Sequence, residues 1–352
     1  MGLPEINIEF KGKAVSAISR SALGIVALIL KDDKGTFDSK EYRDISDLVE
    51  ADWSADNVDY IKKTLDGTPS KVIVERLDAD ALNYTEALAR LNSKKWNYLA
   101  IPGIAALEVS DIVSWIKSKR DNDKKTFKAV LPNIEADHEG VINFTTENIV
   151  VAGKTYSASE YTARIAGILA GLPFTRSATY YVLPEVEAIT EAADPNAAID
   201  AGELILVNDG DKFKIGRGVN SLTSTTIEKT EDFKKIKILE VMDMVLDDIR
   251  DTFNNQYVGK VPNTYDNQVL FFTSVNAYFK TLAGDDILDP SFENRATVNV
   301  EAQRLAWESI GTETTDWDDQ KVKNMSFKSK VFAAGNIKII DAMEDLDFQI
   351  AI

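Results

Sequence analysis

The chain has 352 residues, 44% of them hydrophobic, and a formal net charge of −17 from 57 acids against 40 bases. That size supports a substantial core and two domains, while the acidic balance argues against gripping a nucleic-acid backbone or an anionic membrane. Cysteine is absent, which excludes disulfides, thiolate metal sites and a cysteine nucleophile, and the one histidine, His138, lies in the polar run EADHEG and is expected at the surface.

Near the start, INIEF (6–10) places Ile6, Ile8 and Phe10 on one side of a strand. MGLPEINIEFKGK has acids and a proline where a secretory signal would need an apolar core, so a soluble cytoplasmic chain is expected. GIVALILK (24–31) is a continuous aliphatic run, as in a strand covered on both faces, and SKVIVERL (70–77) repeats it. A helix over 84–95, a strand over 96–103, a helix over 108–122 and a strand over 125–133 then alternate, which favours a partly parallel sheet with helices packed against it. Residues 140–157 suggest a hairpin. Ser157 and Glu160 have the spacing of a capping box, opening a helix that Gly171 and Pro173 close. Its small face, Ala163, Ala166, Gly167 and Ala170, implies a backbone passing very close by. A domain boundary is expected near 187–197.

In the second half, ELILV and DKFKI flank NDG as a hairpin. A long helix from Thr230 carries the stripe Phe233, Ile236, Leu239, Met242, Val245, Leu246, Ile249 and Phe253. Helices over 265–283 and 298–311 follow, with Val269, Phe272, Val275, Phe279 and Leu282 facing inward on the first. The chain closes on strands over 328–340 and 344–352. In the latter, Leu346, Phe348 and Ile350 alternate with Asp345, Asp347 and Gln349. Amphipathic strands at both ends are unusual, because chain ends are normally frayed and polar.

No catalytic motif emerges. GRG at 216–218 lacks the Gly-Lys-Ser/Thr of a phosphate loop and the third glycine of a dinucleotide fingerprint. Asp243 and Asp247 share a helical face with chelating spacing, but a solvated acidic face is the simpler reading. No catalytic, cofactor-binding or metal-ligating residue is therefore expected. An α/β enzyme with an unrecognised carboxylate site is the alternative.

Taken in order, AGLPFTRSATYYVLPEV, AGELILVNDGDKFKIGRGVNSLTS and ILEVMDMVLDDIRDTFNNQYVGKVPNTYDNQ resemble the contractile tail sheath proteins of myophages, above all the short sheaths of Gram-positive prophages and phage-tail-like bacteriocins. The resemblance runs from about residue 20 to 352. It implies a homo-oligomer of stacked hexameric rings around an inner tail tube, with baseplate and tail terminator proteins as partners, assembled in the bacterial cytoplasm and released in a tail or tail-like particle. It implies no cofactor. The expected architecture is an N-terminal arm (1–20), an α/β domain with a mixed sheet and flanking helices (21–190), an α+β tube-proximal domain (191–343) and a C-terminal arm strand (344–352). Ile6, Ile8 and Phe10 at one end and Leu346, Phe348 and Ile350 at the other would be exchanged with neighbouring subunits. Gly216 and Gly218 would form a structural turn. Arg217 is a candidate for a carboxylate pair within or between subunits. The split between Lys234 and Lys235 at the start of the long helix and Asp243 and Asp247 further along suggests charge pairing between subunits.

Overall fold

The computed structural model describes Ile18 and residues 24–351, so the expected strand at 6–10 lies outside the described residues. In chain order the elements are β1 (Ile25–Lys31), β2 (Ser39–Tyr42), α1 (Ala55–Leu65), β3 (Lys71–Leu77), α2 (Thr85–Asn92), β4 (Tyr98–Ala100), α3 (Ala106–Asp121), β5 (Lys128–Pro132), β6 (Val141–Phe144), β7 (Glu147–Val151) and β8 (Lys154–Tyr156). They continue with α4 (Ala158–Gly171), β9 (Val186–Thr190), α5 (Pro195–Asp200), β10 (Glu203–Leu204), β11 (Leu206–Asn208), β12 (Phe213–Ile215), α6 (Ile236–Thr252), α7 (Tyr265–Gly284), β13 (Arg295–Val298), α8 (Val300–Glu308), α9 (Asp319–Asn324) and β14 (Ala333–Asn336).

Two compact units divide the chain. The first holds residues 24–243 together with 341–351, and the second holds Met244–Ile340. The first unit therefore runs past the boundary expected near 190. The reason is β10, which pairs in parallel with β6 and so keeps the following chain on the main sheet.

That sheet has seven strands in the order β10-β6-β5-β4-β1-β3-β2. All neighbours are parallel except β2, which runs antiparallel to β3 at one edge. The continuous apolar run of β1 follows from its central place: Val26, Leu28 and Leu30 enter one core layer, and Ala27 and Ile29 enter the other. The first layer also receives Val58 and Ile61 of α1 and Tyr161, Ile165 and Leu169 of α4; the second receives Leu88 and Leu91 of α2 and Ile112 and Ile116 of α3. The hairpin expected within residues 140–157 is formed by β7 and β8, antiparallel across residues 152–153; β6 stands apart from it in the parallel sheet, and β9 joins the other side of β7.

Ser157 caps α4 as its spacing predicts, its hydroxyl accepting from Glu160 N while Glu160 returns a bond to the cap backbone. The small face of α4 also has its predicted cause. A Cβ added to Gly167 would lie 2.2 Å from the Thr64 carbonyl oxygen at the end of α1, so only glycine allows this approach.

In the second unit, Phe271, Phe272, Val275, Tyr278, Phe279 and Leu282 form the buried side of α7, while Val269, expected inside, is exposed. The long helix begins later than expected: a 3₁₀ turn covers Glu231–Lys234 before α6, and a π turn over Phe253–Tyr257 follows it. Leu246, assigned to its apolar stripe, is 46% exposed. The strand expected over 328–340 is shorter, reduced to β14 with two isolated bridges, Leu288 to Ile339 and Phe327 to Lys330.

Candidate assembly interface

The C-terminal residues show most plainly how the single chain differs from its sequence pattern. From 341 to 351 there is no strand, and Leu346, Phe348 and Ile350 are 88%, 72% and 71% exposed. A strand exists only by pairing, and among the described residues these find no partner strand. Three apolar side chains spaced by two thus stand in solvent, although one contiguous face of this kind favours burial at roughly 25 cal/mol per Å².

The base of this segment is held firmly. Glu344 Oε1 accepts from the Ser177 hydroxyl at 2.7 Å and the Thr179 hydroxyl at 2.6 Å. Thr179 Oγ1 is itself fixed by the backbone N–H of Gly218, at 3.0 Å. Arg217 donates to Asp345 at 2.6 Å and stands 3.6 Å from Glu344, and Lys235 pairs with Asp341. Arg217 therefore has its carboxylate partners within its own chain.

The glycines around it serve a different end from the expected turn. Neither Gly216 nor Gly218 has a positive φ; the hairpin turns at Gly210, with φ of 94°. Gly218 is instead crowded, its absent Cβ lying 3.3 Å from the side chains of Ala178 and Ser177. That closeness brings residues 177–179 against 216–218 and builds the seat for Glu344.

The charges assigned to contacts between subunits have partners inside the chain. Lys234 pairs with Glu231 at 2.9 Å and Asp247 with Arg250 at 3.1 Å. Asp243 corrects the solvated-face reading outright: it is 5% exposed. Both its oxygens take the Arg120 guanidinium at 3.0 Å, and Lys128 Nζ donates to it at 2.7 Å. Lys128, fully buried on β5, also meets Glu240 at 2.9 Å, and Tyr98 donates to Glu240. Burial opposes every charge here, but the Asp243 and Glu240 carboxylates more than offset it for Lys128 and raise its pKa. Burial likewise opposes ionised Asp243, and Lys128 and Arg120 nonetheless hold its pKa below the ordinary carboxylate value. Glu240 and Asp243 are three apart and share a face of α6, but periodicity alone could not place two buried cations opposite them.

His138 is also buried, at 5% exposure, against the surface expectation. Its Nδ1 accepts from Gly140 N–H at 3.0 Å, which leaves the ring proton on Nε2, 3.5 Å from Asp121 and 3.8 Å from Glu139. Lys229 donates to both Glu139 oxygens, at 3.0 and 2.9 Å. These three residues are the group whose ligand atoms come closest to a metal arrangement among the described residues. The arrangement does not fit an ion, because the imidazole nitrogen facing the acids carries a proton and an ammonium already occupies one carboxylate. Burial lowers the His138 pKa and so favours this neutral ring.

The small sheet of the second unit is the other surface of interest. β13 and β14 pair antiparallel from Arg295–Asn336 to Val298–Ala333. On the outer side of β13, the Asn276 side chain takes both backbone groups of Ala296, donating to its carbonyl at 3.1 Å and accepting from its N–H at 2.7 Å. β14 has no such cover among the described residues, and all four of its residues are exposed. Two strands alone are marginal. No helix among the described residues is long and apolar enough to cross a membrane.

The fold is that of sheath proteins of contractile tails. The crystal structure of a sheath tail protein from Desulfitobacterium hafniense superposes with a TM-score of 0.71 at 19% identity, covering 84% of this chain and 94% of that one. The contracted helical sheath of the anti-feeding prophage gives a TM-score of 0.72 at 13% identity, over 100% of this chain and 99% of that one. In sequence, residues 78–221 match the phage tail sheath protein central domain and residues 228–352 the phage tail sheath C-terminal domain. The tail sheath protein of Clostridium phage phiCD119 is 39% identical over 99% of both chains. The chain belongs to the phage tail sheath family. It is a structural subunit of a contractile tail sheath, not an enzyme, and a component of a phage tail or tail-like particle.

Proposed function

We propose that this subunit polymerises as stacked hexameric rings around an inner tail tube, and that the lattice contracts to drive the tube through a cell envelope. Its further partners are the baseplate and tail terminator proteins, and assembly takes place in the bacterial cytoplasm. The observation that carries the reading is the exposed apolar face of Leu346, Phe348 and Ile350 on a chain of the tail sheath family. Such a face is completed by another copy. The open edge of β14 is the complementary surface, because Asn276 already occupies the backbone of β13. An incoming strand bonds through its backbone and is held in register by its alternating side chains. Ile6, Ile8 and Phe10 supply a second strand of the same design from the other end.

Electron microscopy of the purified protein tests this. Long tubes are expected, whereas a monodisperse monomer that turns over a phosphate or sugar substrate would favour the enzyme alternative. Contraction draws on subunit contacts alone, since the sequence carries no nucleotide-binding motif. Extended particles triggered in nucleotide-free buffer with a chelator should contract. Recovery only on adding ATP or a divalent ion would overturn that point.

A further inference from the structure

The acids at the base of the C-terminal segment are spaced so that each meets a different partner on the first unit. Asp341 takes Lys235, Glu344 takes Ser177 and Thr179, and Asp345 takes Arg217. Glu344 is the inner anchor, with its side chain 11% exposed, while Asp345 at 83% is the outer one. The apolar residues begin immediately afterwards, at Leu346. The boundary between held and unheld chain is therefore sharp, and it falls one residue before the face that has no partner.

We infer that Glu344 and Asp345 are positioning residues: seated on Ser177, Thr179 and Arg217, they form a latch that sets the free length of the C-terminal segment, and opening the latch lengthens the segment available to a second copy of this chain. The inference rests on the assembly reading above for what the segment engages, but the latch itself is a property of the single chain.

The lengths make the consequence concrete. With the latch closed, the seven residues of sequence beyond Asp345 can span at most about 23 Å at about 3.3 Å per residue. The backbone N–H of Ile340 is bonded to the Ile287 carbonyl, so once the latch and the Lys235–Asp341 pair behind it are both open the free segment begins at 341 and spans about 40 Å. A lattice with two spacings between subunits needs a connection of more than one length, and five residues held in reserve supply it. The outer pair is accessible to salt, and the inner anchor is held by neutral hydroxyls, so opening proceeds from Asp345 inward as ionic strength rises.

The absence of cysteine makes a clean probe possible. Ala351→Cys carries a single fluorophore on the full chain, in a Phe348→Ser background that removes the central apolar side chain, and time-resolved anisotropy reports segment motion in dilute solution. The amplitude of the fast component should rise about twofold in Arg217→Gln and in the pair Glu344→Gln, Asp345→Asn, and should rise with salt in the parent. The charge swap Arg217→Glu with Asp345→Arg should restore much of the slow component, which a general loss of structure would not allow. Ser177→Ala should loosen the segment without changing charge. Equal anisotropy in parent and variants at low and high salt overturns the latch. Tube formation by the unlabelled natural chain is scored separately: tubes with unchanged anisotropy remove the latch and leave the assembly reading, and absence of tubes with altered anisotropy does the reverse.

Discussion

Two of the four sheets among the described residues are opposites. The seven-stranded sheet is buried on both faces by helices of the same chain and ends in short edge strands. The sheet of β13 and β14 has two strands, one side closed by the Asn276 side chain and the other exposed. The first sheet is completed by its own chain, and the second is too small to be complete. In the proposed assembly, stability and subunit contact thereby fall to different parts of the sequence, and substitutions should separate them.

The largest loss of stability is expected from Asp243→Ala. It leaves buried Lys128 and Arg120 without their main counter-charge and should cost about 3–5 kcal/mol in urea denaturation. The same carboxylate makes a pH prediction. Its folded pKa lies below the unfolded value of 3.8, so its contribution is fully present above that value and is lost as pH falls through the lower folded pKa. Asp243→Asn should flatten the acid limb of the stability curve.

Gly167→Ala comes next. Helix propensity alone predicts a gain of about 1 kcal/mol, but the new methyl meets the Thr64 carbonyl, and a net loss of about 1–3 kcal/mol is expected by thermal unfolding. A gain would show that α1 and α4 can separate freely. Asn276→Ala strips the cover from β13 and should cost about 1–2 kcal/mol. Faster amide exchange at Ala296 than at the β1 amides would place that loss in the small sheet. The smallest effect on stability belongs to the triple change Leu346→Ser, Phe348→Ser, Ile350→Ser, within about 0.5 kcal/mol because the side chains are already exposed. In electron micrographs the same protein should form no tubes. Substantial unfolding by this variant would contradict the division of labour.

Much of the first unit was legible because its signals are local. The unbroken aliphatic run of β1, the Ser157–Glu160 cap and the glycine in α4 each have a physical cause within a few residues or a single close contact. What escaped is long-range. Asp243 and Asp247 have the same chemistry and similar surroundings in sequence, yet Lys128, over a hundred residues away, buries only the first. His138 reads as polar loop and is buried because Ser221 and Lys229 return to cover it and its neighbour Glu139. The alternation of Leu346, Phe348 and Ile350 was legible as a strand pattern, but a pattern names no partner, and among the described residues no strand pairs with it. Gly216 and Gly218 signalled tight backbone, though not that the tightness would seat an acid from the far end of the chain.

The outermost strand of the large sheet, β2, is four residues long, runs against the grain of its neighbours, and has Lys40 tied to Asp52 and Glu41 to Lys71. Such a blunt, charged margin offers poor footing for another strand. At the opposite margin β10 extends for only two residues. In the proposed assembly this gives the subunit a fixed valence. With its larger sheet shut at both margins, growth by strand addition is turned away from the largest sheet of the chain, which favours an ordered lattice over a tangle.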